Sequence, residues 1–334
     1  MAAVGIALLF GGVFFTLAGL SPLQLYGTMA RGILGDVYAL SETAVKAIPL
    51  ALAALGVAVA FRIGFWNIGA EGQLYAGAIG ATAIPLFFPA LPSLVMLPMM
   101  MLASALAGGA LAVLAALPRI YRNVNEIITS LMLNYVVILF SDYLIYGPWK
   151  DPQSYNFPLT PLYPKAAHLP TFFGTRMHLG AVAALVAAAV LSLLINRSRW
   201  GFEVRLLGDS PNAARFAGLN PVRHILVAML VSGGLAGLAG MTEVSGILHR
   251  LQRELSPGYG YAAIIVAWLA RLHPWGVLAM AIFLGAVFVG GYSLQTAGLA
   301  SASVFMLQGG MLFLVLIADV FLERRLVVRR REGS

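Results

Sequence analysis

From Ile48 to Phe88 the only charged residues are Arg62 and Glu71, and both fall in one stretch, Phe61–Gln73, which reads FRIGFWNIGAEGQ. Its flanks, Ile48–Ala60 and Leu74–Phe88, are almost wholly Ala, Leu, Val, Ile and Phe. Runs that are continuously apolar rather than alternating suit membrane helices and not the strands of a barrel. The break between them carries Gly64, Gly69 and Gly72, and glycine permits positive φ and close backbone approach, so a re-entrant turn fits better than an unbroken helix. Irregular backbone at membrane depth persists only where protein or a water-filled cavity satisfies its polar groups. Two readings of Glu71 follow. It braces the turn, by pairing Arg62 or capping a helix, or it lines a pathway, the default for an ionisable group at that depth.

The same pattern recurs along the chain. Hydrophobic residues make up 60% of the 334 and charged residues 10%, against about 25% charged in a soluble domain. The chain is therefore expected to be an all-α integral membrane protein. At about 20 residues per span, roughly nine to eleven spans fit. We place ten, at 1–20, 43–61, 70–88, 94–117, 126–147, 177–196, 223–246, 259–272, 275–296 and 302–321. The first lacks a basic leader region and reads as a span rather than a signal peptide. With ten spans and both termini cytoplasmic, two thirds of the 21 lysines and arginines fall on the inner side, as the positive-inside rule requires. The net charge of +8 is thus a membrane-topology signal rather than a sign of nucleic-acid binding. The expected organisation is one transmembrane domain over 1–334, with a cytoplasmic loop at 196–223, an external loop at 148–176 and a basic cytoplasmic tail at 322–334. The external loop is either a lid or a plain connector. Ser232–Gly240, SGGLAGLAG, reads as a close helix-packing face. A weak internal echo pairs Gly69–Gln73 with Ser256–Gly260, the pattern of transporters built from inverted repeats.

Cysteine is absent, which removes disulfides, thiolate metal sites and cysteine nucleophiles. The histidines, His168, His178, His224, His249 and His273, are scattered without ligand spacing, and no constellation meets the geometric needs of catalysis. No cofactor is expected. No GxxxxGK[ST] phosphate-cradling loop is present. The loop Arg197–Arg223 contains Ser210 as an N-cap, Pro211 at the first helical position and Gly218 as a stop, which predicts a short helix over Pro211–Ala217. A helix so short needs something to dock on. Ala213 and Ala214 allow close approach, and Glu203, Arg205 and Arg215 offer ion pairs.

Three stretches in order, FRIGFWNIGAEGQ, NEIITSLMLNY (Asn125–Tyr135) and GFEVRLLGDSPNAARFAGLN (Gly201–Asn220), resemble the permease subunits of bacterial ABC importers for nucleosides and related simple sugars, a group allied to the ribose and branched-chain amino acid permeases. The resemblance runs from about Pro22 to Val320. It implies an inverted-repeat permease of the type II importer architecture in the bacterial cytoplasmic (inner) membrane. It also implies a second, non-identical permease, a separate ATP-binding subunit and an extracellular substrate-binding lipoprotein. Its NIGAEGQ form resembles the larger of two paired permeases. On this resemblance the segment holding Glu203, Arg205, Gly208, Ala213, Ala214, Arg215 and Gly218 becomes the coupling segment to the ATPase.

A nucleoside is flat and rich in hydroxyls, and calls for aromatic faces and a few oriented polar groups. Candidates are Trp66, Asn67, Glu71, Gln73, Asn125, Glu126, Asn134 and Tyr135. Glu126, Ser130 and Asn134 share one helix face and could either line a pathway or bond between helices. The rival reading is an ion-coupled secondary transporter of a small polar solute. It needs buried titratable groups, of which only Glu71, Glu126, Asp142 and Glu243 are available.

Overall fold

A computed structural model describes residues 2–17, 19, 21–172 and 174–323. The basic tail expected at 322–334, with Arg324, Arg325, Arg329, Arg330 and Arg331, lies outside the described residues from 324 onward. Thirteen α-helices are described: α1 Ala2–Leu17, α2 Pro22–Leu34, α3 Val37–Arg62, α4 Ala70–Phe87, α5 Ser93–Arg122, α6 Glu126–Tyr146, α7 Gly180–Arg197, α8 Arg199–Asp209, α9 Pro211–Phe216, α10 Pro221–Glu243, α11 Tyr259–Leu269, α12 Pro274–Thr296 and α13 Ser301–Glu323. A single π turn, Val244–Leu248, extends α10. Among the described residues, β structure is confined to two isolated bridges.

Each of the ten expected spans coincides with a helix. Among the described residues, six helices (α3, α5, α6, α7, α10 with its π turn, and α12) are long and apolar enough to cross a membrane by length and composition. At eleven residues α11 reaches only about 16 Å, roughly half the hydrocarbon thickness. The sequence reading left α2 unassigned, because Gln24, Thr28 and Arg31 break its apolar run. They recur on one face while Leu25 and Met29 are buried on another, the pattern of an amphipathic helix.

The described residues form two compact units, one of 41–285 and one of 1–40 together with 286 onward. In the second, a Cβ on Gly290 would sit 3.0 Å from the Met29 methyl, and Gln308 Nε2 donates to Val287 O at 3.1 Å. In the first, α3 is buried continuously from Ala47 to Ala60. A helix apolar all round is a core helix, and α3 takes that place. Around it α4, α5 and α10 meet through glycine. A Cβ on Gly77 would collide with Gly237, one on Gly108 with Gly233, and one on Gly56 with the Ser232 carbonyl. Lipid tails are as apolar as leucine, so such helices associate by backbone-to-backbone van der Waals contact, which only small residues permit. The Ser232–Gly240 stretch therefore packs on three helices at once.

Gly237→Val is expected to lower the thermal unfolding midpoint in detergent, at a cost of at least about 1–3 kcal/mol, because its side chain meets the Ser104 carbonyl. Gly309→Ala, where a Cβ meets nothing within 4 Å, is expected to leave the midpoint unchanged. Equal effects of the two would refute the packing argument.

Candidate functional site

The break after Arg62 is an irregular turn, with Gly64 at φ +77° and the helix resuming at Ala70. Its polar groups are satisfied by side chains from three helices. Asn67 Oδ1 accepts from Gly69 N (3.0 Å) and Gln73 Nε2 (2.9 Å), while Asn67 Nδ2 donates to Gln73 Oε1 (3.0 Å) and Ser232 Oγ (3.0 Å). Ile68 N donates to Ser130 Oγ at 3.2 Å. Asn134 Nδ2 donates to Ile68 O at 2.9 Å, and Asn134 Oδ1 accepts from Gly72 N at 2.8 Å. The Ser130–Asn134 face of α6 thus holds the turn. Gly72 is required there, since a Cβ would lie 2.7 Å from Asn134 Cα.

Glu71 does not pair with Arg62. Its Oε2 accepts from Gly260 N at 2.6 Å, with the Ser256 hydroxyl beside it. Gly260 is the second residue of α11, so the carboxylate caps that helix, where free N–H groups and the macrodipole favour negative charge. A Cβ on Gly260 would collide with the Glu71 backbone. The two segments paired by the internal echo, 69–73 and 256–260, are in direct contact. Arg62 instead directs Nε (3.2 Å) and Nη2 (2.7 Å) at Leu272 O, bracing the turn after α11.

The candidate residues separate by exposure. Asn67, Glu71, Gln73, Glu126 and Asn134 are buried. Glu126 also pairs with Arg119 at 3.5 Å, and Asn125 is an exposed N-cap accepting from Ile127 N at 2.9 Å. Trp66 (44% exposed) and Tyr135 (54%) are open. Beside Trp66 stands Trp268 of α11, equally open, with ring centroids 5.7 Å apart, and Phe61 completes the cluster at 5.0 Å from Trp66. Tyr261 lies on the same face of α11 as Trp268 and its hydroxyl accepts from Asn134 Nδ2 at 3.4 Å. Sequence reasoning missed Trp268 and Tyr261. Their i, i+7 spacing on a helix too short to span was the available signal.

In the loop between α7 and α10, Ser210 Oγ accepts from Ala213 N at 3.4 Å and Gly218 has φ +77°, as the cap and stop residues demand. Glu203 pairs with His224 at 2.9 Å, and Arg205 donates to the Ile195 carbonyl. Both therefore hold the loop to its own protein rather than facing outward. Gly208 has no room for a Cβ against the Arg62 carbonyl, and Ala214 is buried. Ala213, Arg215 and Phe216 (94% exposed) face outward, and Phe216 was not anticipated.

The loop between α6 and α7 is pinned rather than free. Thr160, Tyr163 and Leu169 bond to Leu251, His249 and Ser245, and Tyr163 OH shares a hydrogen bond with Thr82 Oγ1 at 2.6 Å. The fold also gathers three histidines that looked scattered. His168 stacks on His249 with centroids 3.8 Å apart, and His178 packs on Gly246 nearby. Among the described residues no group of three potential ligands could hold a metal. His178 Nδ1 accepts from Gly180 N at 3.1 Å, so the ring is neutral there. Burial first, then the charges of His249 and Arg176, push its pKa down to about 4.

The helical bundle, with its buried polar turns, is that of a multi-pass membrane protein. The family described as "Branched-chain amino acid transport system / permease component" matches residues 39–316, and the chain belongs to it. It is 36% identical to the glucose ABC transporter permease protein TsgB13 of Haloferax volcanii, over 95% of this chain and 86% of that one. It is 32% identical to the guanosine ABC transporter permease protein NupP of Bacillus subtilis (86% and 83%) and 28% identical to NupQ of the same organism (73% and 78%). The fold resembles an inward-facing metal-chelate type ABC transporter, with a TM-score of 0.52, 18% identity and coverage of 86% of this chain and 88% of that chain.

Two outcomes are expected here. Glu71→Ala leaves the Gly260 N–H buried and unpaired, at a cost of about 1–3 kcal/mol, while Glu71→Gln retains an acceptor and loses less. Thermal unfolding midpoints in detergent compare them, and equal losses would contradict the capping role. For His178, the unfolded ring titrates near about 6.5 and the folded ring near 4, so the unfolded chain takes up the proton first as pH falls. The stability it contributes is complete above about pH 6.5 and is lost progressively towards the folded pKa, by up to about 3 kcal/mol. Unfolding midpoints measured across that window should fall in the wild type and flatten in His178→Asn. A slope unchanged by the substitution would assign the titration elsewhere.

Proposed function

We propose that the chain is a permease subunit of an ATP-driven importer, forming the translocation pathway for nucleosides or related sugars handed over by an extracellular binding protein. The observation that carries this reading is α9, a six-residue helix held out by capped ends with Arg215 and Phe216 exposed. A helix this short is stable only when packed against something, and a separate ATP-binding subunit is the partner it fits. The relatives named above are described as permeases for guanosine and glucose, which supports a hydroxyl-rich cargo. Trp66, Trp268, Tyr135 and Tyr261 offer flat aromatic faces with hydroxyls, suited to such a molecule passing without a tight site. The buried set, Asn67, Glu71, Gln73 and Asn134, braces this surface rather than touching cargo.

Similarity to both NupP and NupQ, two guanosine permease proteins of one organism, supports pairing with a second, non-identical permease. In this reading the chain is one permease domain in the bacterial cytoplasmic membrane with both termini inside, α8–α9 facing the cytoplasm and the pinned α6–α7 loop facing out. Uptake of labelled guanosine and glucose, in cells separately depleted of ATP or treated with an uncoupler, tests it. Uptake should stop with ATP depletion and survive the uncoupler, and Arg215→Glu should abolish it while the protein still inserts. Uptake that follows the proton gradient instead would mark an ion-coupled secondary transporter.

A further inference from the structure

A cavity of about 250 Å³ opens between the end of α3, the last turn of α8 and the α11–α12 turn. Three arginines line it, Arg62, Arg205 and Arg271, each from a different element, together with one acidic residue, Asp209. Arg62 and Arg205 both end on backbone carbonyls, those of Leu272 and Ile195, and among the described residues neither is in a salt bridge. They are near enough to repel each other. The third element is a turn with two consecutive non-glycine residues in the left-handed region, Arg271 at φ 50° and Leu272 at φ 58°. Such backbone persists only where surrounding structure over-determines it, and here the Arg62 fork on Leu272 O does so. The lining residues thus carry three formal positive charges and one negative, on rigid elements.

A guanidinium carries five N–H donors; Leu272 O engages two nitrogens of Arg62 and Ile195 O one of Arg205, and the donors that remain match the oxygens of a phosphate. The depth of the cavity selects the source. Arg62 is the last residue of a membrane-spanning helix, which sets the cavity at the level of the lipid headgroups. Basic cavities between span ends at this level hold anionic headgroups. We propose that Arg62, Arg205 and Arg271 form a phosphate-binding site occupied by the headgroup of an anionic phospholipid. A bound phosphodiester would tie α8, and through it α9, to the ends of α3 and α11. The inference does not depend on the cargo.

The test uses the full-length chain in nanodiscs of phosphatidylcholine with increasing phosphatidylglycerol, with bound lipid counted by native mass spectrometry. The wild type should retain phosphatidylglycerol over phosphatidylcholine. Arg271→Gln should weaken retention about fivefold, and Asp209→Asn, which removes the opposing charge, should strengthen it. These opposite signs separate a binding effect from simple loss of fold. Arg271→Lys should restore only part of the retention, since it keeps the charge and loses the fork. Inorganic phosphate at millimolar concentration, added to pure phosphatidylcholine discs, should not raise the unfolding midpoint as phosphatidylglycerol does. Retention identical in wild type, Arg271→Gln and Asp209→Asn would overturn the proposal and leave an acidic side chain of a partner protein as the occupant. Equal stabilisation by inorganic phosphate would overturn the lipid assignment.

Discussion

Everything in the larger unit depends on one constraint: a chain that breaks its helix among apolar neighbours must find partners for each freed N–H and C=O. The turn after Arg62 meets it with a closed set of side-chain amides and hydroxyls. Asn67 uses both ends of its amide, Gln73 answers it, and Ser232, Ser130 and Asn134 bring in α10 and α6. Unsatisfied, each such group would cost several kcal/mol in hydrocarbon, so the network specifies which helices are neighbours as well as stabilising them.

The second break is tied to the first. Glu71 caps α11, Arg62 holds the turn at its other end, and Gly260 lets the two backbones touch. The short helix α11 is therefore fixed at both ends by residues of the first turn. Its open face, with Tyr261 and Trp268, is presented beside Trp66 by a frame that is itself buried. Glycine contacts among α4, α5 and α10 supply the rigid backing, because backbones in contact leave no room for sliding. The α8–α9 loop joins this frame through Gly208, pressed on the Arg62 carbonyl.

Much of this was legible from residues alone. Ten apolar runs became ten helices, since hydrocarbon length and composition leave few alternatives. Ser210, Pro211 and Gly218 marked α9 correctly because caps and stops are local chemistry. The polar character of 61–73 was plain, but not the partner of Glu71. Arg62 lay nearest in sequence, whereas the actual donor, Gly260, is a backbone N–H that carries no side-chain signal. Glu203 and Arg205 were expected to offer ion pairs, and the structure gives Glu203 the side chain of His224 and Arg205 the carbonyl of Ile195 in α7.

The sequence by itself determined a membrane-embedded helical protein with two polar breaks and a short capped helix between two spans. These follow from hydropathy, glycine placement and capping, all properties of near neighbours along the chain. Only the tertiary structure decided that the two breaks lock together, that Trp66 and Trp268 share one open face, that His168 stacks on the distant His249, and that three arginines converge on one cavity. Those outcomes rest on contacts between residues far apart in the chain, which spacing and composition do not encode.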